Sequence, residues 1–226
     1  MPKMNLGNVA IVDYEAGNLF SVEHACKTVG LKPLITSRPE DILQSDALIL
    51  PGVGAFGDAM KNLRMLALVQ PLREFAASGK PFMGICLGMQ LLFSRSEEFG
   101  EHEGLNLIEG DVVKFPYVNS YGEKNKIPQI CWNQIKNPSH FGEKWHDTPL
   151  EQIADGEFMY FVHSFYAKPR NSENILTLTE YGGLEYCSAI IKKNIFATQF
   201  HPEKSAEEGI KIYQFWANRI IGNKEN

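Results

Sequence analysis

Short apolar runs alternate with longer stretches of helical spacing, and this rhythm predicts most of the elements. Asn8 to Val12 reads as a buried strand that ends in the loop Asp13-Tyr14-Glu15-Ala16-Gly17-Asn18. A helix is expected from about Leu19 to Val29, stopped by Gly30, because glycine tolerates the left-handed conformation that closes a helix. Lys32 to Ile35 is the next strand. Ala47-Leu48-Ile49-Leu50, bounded by Asp46 and Pro51, has the continuous apolar character of a fully buried strand. Helical spacing resumes near Phe56 and again from about Leu66 to Ser78, and strand and helix alternate through residue 95. That order predicts an α/β fold, a mostly parallel central sheet flanked by helices. The second half adds strand-like runs at Gly110 to Phe115, Gln134-Ile135, Phe158 to Val162, Ile175 to Thr179, Ser188 to Lys192 and Ile195 to Gln199. Turn material such as Asn137-Pro138 and Gly182-Gly183 separates them, so additional antiparallel strands or a small second sheet are expected. Asn119 to Lys126 reads as a surface loop. Ala206 to Ile221 closes the chain as an amphipathic helix offering Ile210, Tyr213, Phe215, Trp216 and Ile220 to the core. No linker, repeat or low-complexity tract interrupts this order, so residues 1–226 are expected to form one domain.

The most informative stretch is Gly84-Ile85-Cys86-Leu87-Gly88, which follows the apolar Pro81-Phe82-Met83 and leads into Met89-Gln90-Leu91-Leu92-Phe93 with helical character. A strand, a tight turn with glycine on both sides of one reactive residue, and a helix make a nucleophile elbow, with Cys at the position that Ser holds in G-x-S-x-G. The turn pushes the thiol out of the packed layer, and the start of a helix favours a thiolate. The competing reading is that Cys86 packs as a small hydrophobe, as most lone cysteines do. A matching base elsewhere in the chain decides between them.

Bulk composition narrows the classes. With 226 residues, 44% apolar and 22% charged, the chain is ordinary globular material. A formal charge of −5 argues against nucleic-acid binding, which needs a basic surface. No apolar run approaches the ~20 residues of a membrane span. Met1-Pro2-Lys3-Met4-Asn5, with no apolar stretch before the first strand, is not expected to open a signal peptide. Cys26, Cys86, Cys131 and Cys187 are widely spaced and form no C-x-x-C pair, which predicts neither zinc nor a disulfide framework and fits a reduced, cytoplasmic compartment.

The base is found at the end of the last apolar strand. His201-Pro202-Glu203 follows Ile195 to Phe200, and a carboxylate two residues beyond a histidine can fix its tautomer and stabilise its protonated form. Both candidate groups then sit at C-terminal ends of strands, where open α/β sheets place their sites. Pro51-Gly52-Val53-Gly54 is either a plain turn or an oxyanion cradle, since glycines let backbone N–H groups approach a developing charge closely. His24 in a helix, His102 in an acidic loop, and His140 and His146 in a polar region show no metal spacing, so neither metal nor cofactor is expected.

Together these residues resemble the class I (triad) glutamine amidotransferases, and more narrowly the glutaminase subunits of imidazole glycerol phosphate synthases. The resemblance runs from about Val9 to the C-terminal helix. It is carried by Asp13-Tyr14 with Gly17-Asn18-Leu19, by Leu50 to Phe56, by Gly84 to Phe93, by Tyr160 to Tyr166 and by Ala197 to Ser205. It implies a flavodoxin-like fold with Cys86 as nucleophile, His201 as general base and acid, and Glu203 as its orienter. It further implies an oxyanion site from the Leu87 amide with Gly52 and Val53, and contacts to L-glutamine from Gln90, Glu98, Ser164 and Phe165. Asn18, Trp132, Asn133, Tyr160 and Lys204 match positions facing a (β/α)8-barrel synthase subunit in a heterodimer. That partner receives the ammonia and, in the histidine pathway, acts on a phosphoribosyl-formimino aminoimidazole carboxamide ribonucleotide.

One run departs from the family pattern. Where Pro-His-Met-Gly-Trp-Asn is usual, this chain has Pro128-Gln129-Ile130-Cys131-Trp132-Asn133. If the glycine position demanded positive φ, Cys131 would cost about 1–2 kcal/mol there; otherwise the loop differs. The departure keeps a second reading open, a paralogous glutaminase feeding ammonia into surface-polysaccharide sugar synthesis. From other classes, the alternatives are a cysteine peptidase and a non-catalytic regulatory binding subunit. Cys26 and Cys187 are expected to be structural, Cys187 just ahead of a strand.

Overall fold

A computed structural model describes residues 7–138 and 145–222. His140 and the Met1 to Asn5 stretch lie outside the described residues. The parallel half of the sheet is built from β1 (Asn8–Val12), β2 (Lys32–Thr36), β3 (Ala47–Leu50), β4 (Phe82–Ile85) and β13 (Ile195–Thr198). These five lie in the order β2-β1-β3-β4-β13, every neighbouring pair parallel. Beyond β13 the sheet continues through β12 (Leu184–Lys192), β10 (Phe165–Pro169), β7 (Ile108–Lys114), β5 (Phe93–Ser96) and β6 (His102–Glu103), with β11 (Ile175–Tyr181) paired to β12. The joins from β13 to β7 are antiparallel, as expected of the second half of the chain. A separate ribbon joins β8 (Gln129–Gln134) to β9 (Phe158–His163).

Period-two alternation sorts the parallel strands onto two faces. Val9, Ile11, Ala47, Ile49, Met83 and Ile85 face the layer that holds α1 (Leu19–Thr28) and α6 (Ala206–Gly222). Ala10, Val12, Leu48, Leu50 and Phe82 face the layer of α2 (Pro39–Gln44), α3 (Phe56–Met65) and α4 (Val69–Ala77). Burial on both faces explains why these strands read as unbroken apolar runs. Among the described residues no helix is long and apolar enough to cross a membrane.

Several details differ from the sequence reading. The helix after Cys86, α5, spans only Leu87–Leu91, and Phe93 already begins β5. Apolar runs such as Leu91-Leu92-Phe93 suit a buried helix and a buried strand equally, so periodicity cannot divide them. Helix α2 is an addition to the expected elements, although Pro39 stands at its N-terminus. Residues Gln129 to Asn133 are not an irregular loop but most of strand β8, and Cys131 pairs with Phe161 without positive φ. The cost expected for a left-handed cysteine therefore does not arise. Cys187 lies inside β12 rather than before it, and His102 sits in the two-residue β6 with its ring against Gly57.

The elbow's second glycine is required by close packing. A Cβ on Gly88 would lie 1.8 Å from the Leu50 carbonyl oxygen, a backbone atom that no rotamer change can move aside. We expect Gly88→Ala to cost about 3 kcal/mol in urea unfolding, because the overlap must shift α5 or β3. Gly222→Ala, which meets nothing within 4 Å, is expected to stay within about 0.5 kcal/mol.

Candidate active site

Two adjacent parallel strands bring Cys86 and His201 to the same edge of the sheet. Strand β4 pairs with β13 in the register Phe82↔Ile195 through Ile85↔Thr198, and the Cys86 N–H donates to the Thr198 carbonyl at 2.7 Å. Cys86 therefore leaves the end of one strand, and His201, three residues past the end of the other, reaches the same edge of the sheet. Cys86 adopts φ 54°, ψ −110°, a conformation that non-glycine residues rarely hold and that turns its side chain out of the strand. The residue is nonetheless 5% exposed.

His201 Nδ1 lies 2.8 Å from Glu203 Oε1, with the two side chains 2% and 1% exposed. The carboxylate accepts, so Nδ1 carries the proton and Nε2 is left for chemistry. Nε2 is buried and has no partner within strict hydrogen-bond geometry. Burial is the largest single influence on this imidazole and pulls its pKa down. The charge of Cys86, a looser hydrogen-bonding contact with it, and the hydrogen bond and charge of Glu203 together outweigh burial and raise the pKa to about 10. Cys26 and Cys187 have no such base; burial pushes the Cys26 thiol up to about 12 and that of Cys187 higher still. A buried thiol held protonated is inert.

The cavity beside Cys86 has a volume of about 230 Å³, suited to a small metabolite. Val53, Cys86, Leu87, Gln90, Glu98, Ser164 and Phe165 line it, so all the expected substrate and oxyanion positions except Gly52 face one space. A larger cavity of about 310 Å³ lies at the opposite end of β4 and β13, beside Pro81 and Asn194, and contains no nucleophile with a base. Leu87 is the first residue of α5, so its N–H has no intrahelical partner and is free for an anion. Gly52 is held by contact: a Cβ there would lie 2.1 Å from the Tyr14 hydroxyl, which itself donates to the Pro51 carbonyl at 2.7 Å. Tyr14 thus anchors the loop carrying Gly52 and Val53.

Glu98 Oε2 accepts from the Phe56 N–H at 2.6 Å, at the start of α3. Gln90 Nε2 donates to the Phe165 carbonyl and to Gln199 Oε1, each at 2.9 Å. The carbonyls of Ser164 and Phe165 are both engaged inside the fold, the former by the Phe115 N–H at 3.1 Å. Two neighbours of the sulfur escape sequence reasoning: Gln199 Nε2 at 3.6 Å as a donor and the Val162 carbonyl at 3.7 Å as an acceptor. A glutamine inside the apolar run Phe196 to Phe200 is the available signal for Gln199.

Of the five expected interface positions, three gather. Trp132 and Tyr160 are cross-strand partners on the outer face of the ribbon, rings 6.1 Å apart, and Lys204 Nζ sits 5.9 Å from the Tyr160 ring centroid. Asn18 instead caps α1, accepting from the Ser21 N–H. Asn133 projects from the other face of β8 and donates to the Glu180 carbonyl at 2.8 Å.

Comparison with known proteins agrees with this geometry. The family model for the class-I glutamine amidotransferases matches residues 10–217. The chain is 48% identical over 209 residues to an imidazole glycerol phosphate synthase subunit HisH 1 of Legionella pneumophila strain Paris, covering 92% of this chain and 98% of that protein. A HisH subunit of Geobacter metallireducens is 43% identical, with 94% and 98% covered. Among solved structures, a glutamine amidotransferase superposes with a TM-score of 0.68 at 17% identity, covering 94% of this chain and 98% of that one. PurLQS of Thermotoga maritima gives 0.66 at 21% identity, with 98% and 100% covered; both show the shared fold.

The two buried histidines give opposite pH dependences. His201, raised from an unfolded value near 6.5, contributes stability that is fully present below about pH 6.5 and lost as pH rises through about 10. His163, lowered to about 4 chiefly by burial, contributes stability that is present above about pH 6.5 and lost as pH falls toward 4. Urea unfolding from pH 4 to 10 should show stability declining at both ends. In Cys86→Ala the decline toward pH 10 should be shallower, because the contributions of Cys86 that raise the His201 pKa are then lost. An unchanged alkaline limb in that variant would mean Cys86 does not act on His201.

Proposed function

The chain belongs to the class-I glutamine amidotransferases, and we propose that it is the glutaminase subunit of an imidazole glycerol phosphate synthase. In this reading the Cys86 thiol gives its proton to His201 Nε2, Sγ attacks the side-chain amide carbon of L-glutamine, and a C–S bond forms as the carbonyl oxygen gains negative charge. The Leu87 N–H and the Gly52-Val53 segment receive that charge; one such donor typically contributes about 2.7–4 kcal/mol to the transition state. His201 Nε2–H passes its proton to the departing nitrogen, the C–N bond breaks, and ammonia leaves a glutamyl thioester. Water then attacks the thioester while Nε2 takes its proton, and the C–S bond breaks to release glutamate. Glu203 holds the imidazole in the tautomer that both steps need. The observation that carries this reading is the buried His201–Glu203 pair just beyond the end of β13, the strand that pairs with the one leading into Cys86.

The ribbon's outer face supports a partner. Ile130, Trp132 and Phe158 are each about half exposed, a concentration of apolar surface unusual for a ribbon facing only water. We assign it to a (β/α)8-barrel synthase subunit that receives ammonia through a closed passage, since ammonia released into neutral water is protonated and no longer nucleophilic. The same ribbon reaches the site directly: the Tyr160 carbonyl accepts the His201 N–H at 2.9 Å, and the Val162 carbonyl touches the sulfur. Docking on the ribbon therefore has a short mechanical path to both reacting groups. The cytosol, with all four cysteines free, is the setting this reading implies.

Paired with its synthase, Cys86→Ala should lose glutamine-dependent glutamate release by at least about a thousandfold, and Glu203→Gln by about a hundredfold or more. Synthesis driven by added ammonium should survive in both. Wild-type glutamate release from Cys86→Ala would remove the thioester from the mechanism and favour a non-catalytic subunit.

A further inference from the structure

Polar contacts run unbroken from the inner face of β8 to the sulfur of Cys86. Tyr186 Oη lies 3.0 Å from Gln129 Oε1 and 3.2 Å from His163 Nε2, and His163 Nδ1 lies 2.8 Å from the Phe165 carbonyl. That carbonyl also accepts from Gln90, which bonds Gln199, which reaches the sulfur. Gln129, Tyr186 and His163 are 0%, 2% and 6% exposed. The Phe115 ring packs 5.2 Å from that of His163 and 5.1 Å from that of Tyr186, so the chain runs through a buried, aromatic interior. In such surroundings an unmade hydrogen bond is costly, and every proton has to be placed.

Valence fixes the direction. A carbonyl can only accept, so His163 donates from Nδ1. Its Nε2 is then bare and can only accept, from the Tyr186 hydroxyl. That hydroxyl has one proton, so it cannot also donate to Gln129. A half-turn of the Gln129 amide, which exchanges two atoms of nearly equal size, resolves the conflict. The amide N–H then donates to Tyr186, and the amide oxygen faces Cys131, whose sulfur lies 3.7 Å from that end of the side chain. All donors then point one way, from Cys131 toward Phe165.

We propose that Gln129, Tyr186 and His163 are positioning residues for glutamine binding, holding the Phe165 carbonyl and through it the pocket side chain Gln90. Gln129 and His163 are cross-strand partners on the inner face of the ribbon whose outer face carries Trp132 and Tyr160. Movement of the ribbon on docking thus reaches the substrate pocket through this relay as well as through the Val162 carbonyl. The relay gives the unusual Gln129-Ile130-Cys131 run a role in the site. It rests on the glutaminase reading, and the test separates the two.

L-glutamine binding is measured by calorimetry on the full chain carrying Cys86→Ala, which prevents turnover, with and without Tyr186→Phe or Gln129→Leu. Tyr186→Phe strips the donor from His163 Nε2 and the acceptor from Gln129, and should raise the dissociation constant about tenfold. Gln129→Leu should shift it in the same direction by less. With Cys86 restored and the synthase partner present, Tyr186→Phe should raise KM several-fold while kcat falls far less, a split that general loosening of the fold would not produce. Near-UV circular dichroism confirms folding, and should Tyr186→Phe not fold, Gln129→Leu reports on the same link. Binding within twofold of the parent in a folded variant overturns the relay alone. No binding by the Cys86→Ala parent overturns the glutaminase reading and the relay with it.

Discussion

The pairing of β4 with β13 is the constraint on which the site depends. These strands are far apart in the chain, yet their parallel register is continuous from Phe82↔Ile195 to Ile85↔Thr198. Because the pairing is parallel, both chains leave the sheet on the same edge, and the segments beyond them must meet. One segment supplies a thiol, and the other an imidazole with its carboxylate. Strand β3 pairs with the other side of β4, so the Pro51 to Gly54 loop arrives at the same edge. An antiparallel β13 would place His201 at the far end of the molecule. The sheet topology, more than any local motif, makes the constellation.

Two opposing demands shape the residues at that edge. The turn must hold Cys86 at positive φ, which costs about 1–3 kcal/mol, so its surroundings have to over-determine it. The hydrogen bond from the Cys86 N–H to Thr198 and the contact of Gly88 with Leu50 provide that support. The second demand is electrostatic. Burial pulls the His201 imidazole toward its neutral form, and Cys86 and Glu203 both oppose this and outweigh it. The relay behind Phe165 meets a similar demand with neutral groups, using His163 in its uncharged form, held there by burial and by the nearby charge of His201.

The parallel half of the fold is legible in the sequence because its strands are buried on both faces and bounded by turn residues, as at Asp46 and Pro51. The elbow is legible for the same reason, since Gly84 and Gly88 punctuate an otherwise apolar stretch. Strand β8 is not, and the cause is physical. Its alternation is inverted: Ile130 and Trp132 face outward, while Gln129 faces the interior. A strand with apolar residues outside and polar residues inside looks like a loop unless the polar network on its inner face is known. Gln199 and Tyr186 escape sequence reasoning likewise, since a polar group on a buried strand gives no hint of its partner across the sheet. Asn133 shows the converse limit: its place beside Trp132 in sequence puts it on the opposite face of the strand.

A crystal structure of the chain after reaction with an electrophilic glutamine analogue tests the assembled site most directly. A covalent bond to Cys86 Sγ alone is expected, with the analogue's carbonyl oxygen against the Leu87 N–H and His201 Nε2 facing the adduct. Modification at another residue, or an adduct on Cys86 with His201 turned away from it, would contradict the claim that the β4–β13 pairing assembles the reacting groups.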